Sequence, residues 1–325
     1  MRLPDARPFF VLAPMDDVTD TVFRRVVAGC AAPDLFFTEF VNVDGLQSPG
    51  RDRVSKKLQY TEREKPLVAQ IWGKDPENFY KTAYELATAG YAGIDINMGC
   101  PDKTVVKNGT CSALINNRPL AGDIIRAVQS GVTDGAREKG VEPIPVSVKT
   151  RLGFNEIDLS WHEFLFGFDV AMLTIHGRTR KEMSEVPAHW DQIGAIRKLR
   201  DACAPSTLVV GNGDVESRAQ GLELAEQYGL DGIMIGRGIF RDPYVFAEQS
   251  PWRLLTRAER LDLYRRHIQL FAETWTNNER RIHTLNKFCK IYANGFDGAK
   301  ELREQLMTAE SADELLGLLD AACEL

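Results

Sequence analysis

A thiol follows an apolar run of strand length at Asn97-Met98-Gly99-Cys100-Pro101. The run Gly93 to Asn97 is typical of a buried strand, and the glycine and proline beside Cys100 end regular structure. A thiol in that place is positioned to face a ligand rather than a core. With an ordinary pKa of about 8.5 it is protonated at neutral pH and can still give up its proton. We therefore predict that Cys100 is a catalytic acid.

Two cations and an imidazole follow the fifth and sixth apolar runs. The fifth run ends Val148-Lys149-Thr150-Arg151, and the period of two along a strand places Lys149 and Arg151 on one side. Cations that converge on one cavity need an anion or an electron-rich ring there, although a pair of solvated charges is the alternative. His176 follows the sixth run in the same way, which favours contact with a ligand over a core histidine.

Three earlier strand ends leave more alternatives open. The backbone of Ala13-Pro14-Met15 can lie against a flat ring, but alone it indicates only a strand terminator. Glu39 is a carboxylate within an apolar run, so it serves either function or a structural ion pair. Gln70 donates and accepts at once, which suits either the edge of a cyclic imide or a satisfied core position.

Small residues follow the last two apolar runs, at Gly211-Asn212-Gly213-Asp214 and Gly236-Arg237-Gly238. Backbone N–H groups can approach an anion there, and helix N-termini can add to the site. The loops after strands seven and eight of a parallel barrel commonly hold a phosphate, with which Arg237 can pair. A phosphate site beside the lysine, glutamine and histidine above indicates a phosphorylated flat cofactor, for which FMN fits.

The elements that must position these residues alternate regularly. Apolar runs predict strands at Phe9 to Ala13, Leu35 to Val41, Leu67 to Ile71, Gly93 to Asn97, Val146 to Lys149, Ala171 to Ile175, Leu208 to Gly211 and Gly232 to Ile235. Helices are predicted between them at Thr19 to Ala28, Asp75 to Ala89, Pro119 to Val132, Leu159 to Phe168, Trp190 to Asp201 and Glu216 to Tyr228. Continuous Val/Ile/Leu runs are typical of parallel strands covered on both faces. We predict an α/β fold, a closed (β/α)8 TIM barrel, over a doubly wound sheet, since no GxGxxG follows the first strand.

Beyond Asp242-Pro243 the strand signal stops. Four helices are predicted, at Arg257 to Thr276, Arg280 to Tyr292, Ala299 to Met307 and Ala312 to Ala322. We therefore predict two domains, a catalytic barrel over 1–250 and an all-α helical bundle over 251–325.

Charge is unevenly distributed along the chain. The net charge is −6, which does not by itself suggest a nucleic-acid partner. From Arg253 to Arg303, however, eleven basic residues stand against six acidic ones. The local distribution matters more than the sum for contact with an anionic polymer, so the helical tail is the candidate surface for such a partner.

The composition excludes several classes of protein. Hydrophobic residues at 44% and charged residues at 26% are ordinary for a soluble enzyme. No apolar run reaches the roughly 18 residues of a membrane helix, and no signal peptide is visible, so we expect a cytoplasmic protein. No CxxC pair or metal-ligand spacing occurs, and free thiols are expected at Cys30, Cys100, Cys111, Cys203, Cys289 and Cys323.

These motifs together resemble the dihydrouridine synthase family, flavoenzymes that reduce uridine in tRNA. The resemblance spans the barrel in the family's order, through Ala13-Pro14-Met15, Thr38-Glu39, Ala69-Gln70, Asn97-Met98-Gly99-Cys100-Pro101, Val148-Lys149-Thr150-Arg151-Leu152-Gly153, His176-Gly177-Arg178-Thr179, Gly211-Asn212-Gly213-Asp214 and Gly236-Arg237-Gly238. The cysteine motif and the lysine-arginine motif are the most specific. The helical tail resembles the family's RNA-binding domain in position and size.

The resemblance implies FMN as cofactor, NADPH as electron donor and tRNA as partner. FMN is expected to contact Pro14, Met15, Gln70, Lys149, His176, Asn212, Gly213, Asp214, Gly236 and Arg237. Uridine is expected to contact Glu39, Asn97, Lys149, Arg151 and Arg178, and the RNA to contact Arg280, Arg281, Lys287 and Lys290. Reduced flavin would deliver hydride to C6 of uracil while Cys100 protonates C5. We also expect a monomer that binds neither metal nor membrane.

Two positions depart from the family pattern. Cys111 stands where a glycine is expected in the turn after the cysteine motif, and His189 precedes Trp190 where the family often has aspartate. Neither change touches the implied flavin contacts. Other functions stay open on the sequence alone: a flavin barrel that acts on a free pyrimidine or on ribosomal RNA, and a non-catalytic RNA-binding protein.

Overall fold

A computed structural model describes residues 3–277 and 279–323. Its strands all run parallel in a single sheet: β1 Phe9–Leu12, β2 Phe36–Phe37, β3 Val41–Asn42, β4 Leu67–Trp72, β5 Gly93–Met98, β6 Val146–Arg151, β7 Met172–His176, β8 Leu208–Asn212 and β9 Gly232–Ile235. Nearly all of their residues are buried, as expected of strands covered on both faces. The predicted parallel architecture is confirmed.

The sheet closes on itself into a barrel. Its hydrogen-bonded order is β1-β9-β8-β7-β6-β5-β4-β2, so the first strand pairs with the last. On the other side of β1, the backbone N–H of Leu12 donates to Leu35 over 3.2 Å and that of Leu35 donates to Phe10 over 3.2 Å. The predicted (β/α)8 barrel is therefore the observed fold.

The second predicted strand, Leu35 to Val41, was wrong in its continuity. The structure divides it into β2 and β3, both of which pair with β4. Between them the Thr38 hydroxyl accepts the backbone N–H of Gln70 over 3.0 Å, a place where a strand carbonyl would otherwise accept. The Thr38 side chain thus interrupts the backbone hydrogen bonds between these strands and β4, and Glu39 lies in the gap between β2 and β3.

The strand register sets the positions of the polar side chains. Three neighbouring levels run across the barrel: Gln70 with Asp95 and Ser147, then Asn97 with Lys149, then Arg151 with His176 and Asn212. Because residues two apart on a strand point to the same side, these levels stack toward the carboxyl ends of the strands. That is the end at which barrels of this type carry their sites.

Helices cover the outside of the barrel. Their bounds are α1 Thr21–Ala31, α2 Val43–Leu46, α3 Arg51–Ser55, α4 Pro76–Leu86, α5 Lys103–Lys107, α6 Arg118–Lys139, α7 Leu159–Phe166, α8 Trp190–Cys203 and α9 Arg218–Tyr228. Short 3₁₀ turns lie at Lys56–Leu58, Glu62–Glu64, Cys111–Asn116 and Arg237–Phe240. The side chains of Asp20, Asp75 and Ser217 accept backbone N–H groups at the N-termini of α1, α4 and α9, which explains where these helices begin.

The C-terminal region is helical, with α10 Arg257–Thr274, α11 His283–Asn286, α12 Cys289–Tyr292, α13 Ala299–Thr308 and α14 Ala312–Cys323. The continuous helix predicted from Arg280 to Tyr292 was wrong, because the chain there forms the two short helices α11 and α12. Asn286 ends the first and donates to the carbonyls of Met307 and Ala309 over 3.2 and 3.0 Å. These two bonds hold α11 against the end of α13.

One apolar core joins these helices to the barrel. The ring of Phe23 in α1 lies 5.7 Å from that of His267 in α10 and 4.9 Å from that of Phe288. His267 is fully buried, and its Nδ1 lies 3.0 Å from the Tyr292 hydroxyl. Among the described helices, none is both long enough and apolar enough to cross a bilayer.

Candidate active site

A cavity of about 660 Å³ opens at the carboxyl ends of the strands. Its lining brings together most of the residues predicted from the strand ends: Pro14, Met15, Lys149, Arg151, His176, Arg178, Asn212, Gly213, Asp214, Gly236 and Arg237. Pro101, the neighbour of Cys100, lies on the same wall. Residues from both halves of the barrel therefore meet around one space.

Lys149 is the central cation of this cavity. Its Nζ donates to Asn212 Oδ1 over 3.3 Å, and Asn212 Nδ2 in turn donates to the Met234 carbonyl over 2.9 Å. Burial, helped by the positive charge of Arg151, lowers the pKa of Lys149 from 10.5 to about 8, whereas the Asp95 carboxylate opposes the change. Lys149 is thus mainly protonated at neutral pH and keeps N–H donors for a ligand.

His176 is held in its neutral form. Burial lowers its pKa well below 6.5, and the positive charges of Arg151, Lys149 and Arg178 add to that effect. Its Nε2 lies 3.3 Å from Nη1 of Arg178, which can only donate. Nε2 is therefore the acceptor, and the imidazole proton is on Nδ1.

The loops after β8 and β9 form one end of the cavity, and glycines shape them. Gly213 has a φ of +140°, and a Cβ there would lie 2.7 Å from that of Ala188. A Cβ on Gly238 would lie 2.5 Å from the Val215 carbonyl oxygen. Only glycine permits these approaches, which leave backbone exposed to the cavity.

Asp214 links two arginines across that end. Its carboxylate accepts from Arg178 and, over 3.0 Å, from Arg237 Nη2. Arg237 is exposed, whereas Arg178 is buried. With Lys149 and Arg241 also on the lining, the cavity carries more positive than negative charge. These residues fit a flat group that bears a phosphate.

The Arg151 guanidinium donates its hydrogen bonds to backbone carbonyls. Its Nε donates to the Gly99 carbonyl over 2.7 Å, and its Nη1 donates to those of Thr179 and Met183 over 3.0 and 2.9 Å. Burial lowers its pKa from 12.5 to about 10. It therefore ties the segment before Cys100 to the loop after β7, in addition to lining the cavity.

Cys100 has a second thiol as its neighbour. The Cys111 side chain hydrogen bonds with it and is the largest cause that lowers the pKa of Cys100 from 9.0 to about 7, followed by a backbone N–H at Asp102. Burial of Cys111 raises its own pKa well above 9.0. Cys111 is fully buried with a φ of +51°, the conformation for which a glycine was expected. Cys100 itself is half-buried.

Gln70 and Asn97 lie in the layer below the cavity. Asn97 Nδ2 donates to Gln70 Oε1 over 3.0 Å, and Gln70 Nε2 donates to Asp95 Oδ2 over 2.7 Å. All three side chains are buried. The sequence reasoning missed Asp95, although its spacing of two from Asn97 on β5 was a usable signal.

Glu39 and Arg280 form an ion pair. Arg280 bonds to Glu39 and lies 3.5 Å from Asp20 and 3.7 Å from Asp17. Burial raises the pKa of Glu39, while the charge of Arg280 opposes that rise. Of the alternatives for Glu39, the structure favours the structural pair.

The other predicted RNA contacts divide by exposure. Arg281 and Lys290 are exposed, whereas Lys287 is partly buried and donates to the Asp17 carbonyl. Only 9% of the Arg280 side chain is exposed, and its carboxylate partners occupy its guanidinium. Arg280 is therefore not available for the RNA contact that was expected from the sequence.

Sequence comparisons place the chain among known proteins. The family model for dihydrouridine synthase matches residues 11–324. The probable tRNA-dihydrouridine synthase of Staphylococcus aureus (strain COL) is 50% identical over 317 residues, 97% of this chain and 93% of that protein. The probable tRNA-dihydrouridine synthase 2 of Bacillus subtilis (strain 168) is 50% identical over 318 residues, 97% of this chain and 94% of that protein.

Solved structures show the same barrel at low identity. Morphinone reductase superposes with a TM-score of 0.51 at 12% identity, covering 75% of this chain and 86% of its own. Histamine dehydrogenase from Rhizobium sp. 4-9 gives 0.51 at 13%, covering 80% of this chain and 48% of its own. These two similarities concern the fold alone. Since the family model and relatives at half identity span nearly the whole chain, the protein belongs to the dihydrouridine synthase family.

Proposed function

We propose that the protein reduces the C5=C6 bond of uridine in tRNA to 5,6-dihydrouridine. The observation that carries the proposal is the single cavity in which Lys149, His176 and Asn212 meet the wall beside Cys100. The family assignment supplies the reaction, and the names of the two relatives at 50% identity supply tRNA as the substrate. A tRNA substrate is consistent with a protein that works in the cytoplasm.

FMN is the proposed cofactor, with NADPH as its reductant. The glycine-lined loops after β8 and β9, together with Arg237, would hold the phosphate. Pro14, Met15, Lys149, His176 and Asn212 line the rest of the cavity and would contact the ring. When bound and reduced, the flavin supplies hydride for C6 of uracil. Gln70 lies in the layer beneath the cavity and would affect the bound flavin only through its hydrogen bond with Asn97.

The chain's own residues account for the remaining chemistry. Hydride addition at C6 leaves negative charge on the O4 side of the ring, and a protonated Lys149 in the cavity wall would stabilise such charge. Cys100 gives its proton to C5. The thiolate that remains accepts from Cys111 and from the backbone at Asp102, which are the groups that lower its pKa. Arg151 and Arg178 hold the loop after β7 over the cavity.

The helices that follow residue 250 are the proposed RNA-binding domain. A uridine in folded RNA must leave its stack, which costs a few kcal/mol that protein contacts must offset. Arg281 and Lys290 are exposed cations there, and Lys287 is a partly buried third. They would supply phosphate contacts without reading sequence.

Replacement of Cys100 tests the proposed function. We expect Cys100→Ala to retain bound flavin and tRNA affinity while turnover falls by about 100-fold or more, since general acids contribute about 10²–10⁴-fold. Dihydrouridine is measured in tRNA by mass spectrometry, with the flavin spectrum as the control for integrity.

Three outcomes would contradict the proposal. Full turnover in Cys100→Ala would remove the acid role. Wild-type protein that reduces free uridine or ribosomal RNA but not tRNA would replace the substrate. Purified protein that binds no flavin would exclude the chemistry altogether.

A further inference from the structure

A carboxylate with no exposed surface lies beneath the proposed active site. Asp95 is 0% exposed at the centre of β5, inside the barrel. Its Oδ1 accepts from the Ser147 hydroxyl over 2.6 Å, and its Oδ2 accepts from Gln70 Nε2 over 2.7 Å. An ionised carboxylate in such a place is costly, and a neutral side chain would cost less. A buried charge at position 95 therefore calls for a functional explanation.

The hydrogen bonds that begin at Asp95 all run in one direction. A carboxylate can only accept, so Gln70 must turn its NH₂ group toward Asp95. Its Oε1 then faces Asn97 and accepts from Nδ2 over 3.0 Å. That bond in turn leaves the Asn97 Oδ1 free to face the opposite way.

The last member of this relay holds the turn that carries the catalytic thiol. Asn97 Oδ1 accepts the backbone N–H groups of Gly99 and Cys100, both over 3.0 Å. Two N–H groups can bond only to an acceptor, so a flipped Asn97 would present its own donors to them. The conformation of the turn thus depends on which way Gln70 and Asn97 point.

We infer that Asp95 is a positioning residue for the reaction: as an acceptor-only group it sets the direction of the Gln70–Asn97 relay and thereby fixes the turn at Cys100. The inference rests on the proposed role of Cys100 in turnover. It differs from that role in naming a residue that touches neither uridine nor flavin.

Charge around Asp95 keeps it in the form that the relay requires. Burial raises its pKa from 3.8 to about 6, while the bonds from Ser147 and Gln70 and the charge of Lys149 on β6 act against that rise. At pH 7 the carboxylate is therefore mostly ionised. Asp95 also favours the charged form of Lys149, so it acts on both walls of the cavity.

Asparagine at position 95 is the informative replacement. It matches aspartate in size, but it can present either an oxygen or an NH₂ group to Gln70. Both directions of the relay then become possible, and the turn at Cys100 loses its two fixed bonds for part of the time. The contacts of Cys100 with Cys111 and with the backbone at Asp102 loosen with it. Burial and the Asp102 charge, which raise the pKa of Cys100, then act against Arg151 alone, which lowers it.

The test measures alkylation of Cys100 by iodoacetamide against pH, with peptide mass spectrometry to identify the modified thiol. We expect a midpoint of about 7 in the wild type and a midpoint shifted toward 9.0 in Asp95→Asn. Turnover on tRNA should fall by about 10- to 100-fold, since misplaced groups of this kind lose up to about 10² in rate.

Two further variants separate direction from packing. In Asp95→Asn combined with Gln70→Glu, the acceptor-only group moves to position 70, where it accepts from Asn97 and from the amide introduced at position 95, and so restores the direction. We expect the alkylation midpoint to return to that of the wild type. Ser147→Ala removes the other bond of Asp95 outside the relay, and it should lower stability while leaving the midpoint unchanged.

The inference is overturned if Asp95→Asn keeps the wild-type midpoint and turnover, or if the folded double variant keeps the shifted midpoint. A midpoint shift in Ser147→Ala equal to that in Asp95→Asn would show loss of packing instead. If Asp95→Asn alone does not fold, the double variant and Ser147→Ala still decide the question. Alkylation needs no substrate, so a failure of the proposed reaction would not alter these readings.

Discussion

Cys111 combines an unusual backbone conformation with an unusual neighbour. Its φ of +51° is unfavourable for a residue with a side chain, and its thiol is buried against Cys100. A glycine would adopt this φ without strain. The cysteine instead supplies a hydrogen bond that stabilises the thiolate of Cys100, the proposed catalytic acid. The Cys111 side chain therefore lowers the pKa of Cys100 from a position whose backbone conformation favours glycine.

We predict that Cys111→Gly raises the pKa of Cys100 from about 7 toward 9.0. Turnover needs the protonated thiol, so wild-type turnover should fall as pH rises above about 7, and the variant should keep its turnover to higher pH. The pH dependence of kcat for tRNA reduction measures the change. Cys289→Ala, which removes a buried thiol of the helical region, serves as the control. An alkaline limb that stays in place would show that Cys111 does not act on Cys100.

Much of the cavity could be predicted at this scale because its residues lie at strand ends. Lys149, His176 and Asn212 follow apolar runs, and the period of two sets the side to which they point. For Asp95 the only local signal was its spacing of two from Asn97, because its partners Gln70 and Ser147 belong to other strands. No local pattern shows which buried polar residue finds such partners.

Arg280 lies in the segment between α10 and α11 and connects the helical region to the barrel, as does Trp275, whose Nε1 donates to Asp20 over 3.3 Å. Arg280 reaches Glu39, which stands 241 positions earlier in the chain. Glu39 is fully buried and also accepts the backbone N–H of Asp17 over 2.7 Å. Sequence reasoning placed Arg280 in a continuous surface helix, because a pairing over that separation leaves no periodic signal. The observed segment is irregular, so the side chain can turn inward.

We predict that Arg280→Met lowers the free energy of unfolding by about 3–5 kcal/mol, because it leaves the buried Glu39 charge unpaired. Glu39→Gln in the same chain should recover part of that loss, since the amide oxygen still accepts from Asp17 and no charge remains. Urea unfolding monitored by circular dichroism measures both. The matched control is the neighbouring exposed residue, Arg281→Met, with a change within about 0.5 kcal/mol. Equal effects at the two arginines would contradict a buried ion pair.

At the scale of the whole molecule, the protein is acidic, but its helical region exposes basic side chains that are free to contact RNA. Arg281 and Lys290 are exposed, and neither makes an ion pair within the described residues. Within the described residues, four other cations of the helical region lie in ion pairs: Arg265 with Asp320, Arg266 with Asp262, Arg280 with Glu39 and Lys300 with Glu304. The net charge of the segment therefore overstated the surface that is available to RNA.

We predict that Arg281→Glu weakens tRNA binding and reduces the slope of log K against log salt by about one, because each phosphate contact releases about 0.7–0.9 of a counterion. Filter binding at several salt concentrations provides both numbers. Lys198→Glu, an exposed lysine on the barrel helix α8, changes the net charge equally and should leave the slope unaltered. If the two variants lost affinity to the same degree, the interaction would reflect total charge rather than this surface.

The helices and the barrel cannot turn freely against one another, because Phe23 packs on Phe288 and His267 while Arg280 pairs with Glu39. The distance from the proposed tRNA contacts on those helices to the thiol of Cys100 is therefore expected to stay constant. We therefore expect a uridine to be reduced when its distance from those contacts in the folded RNA matches this distance in the protein, whatever bases surround it. The shape of tRNA would then determine which uridine is reduced. Changes in how the helices pack on the barrel would shift the reaction to another nucleotide.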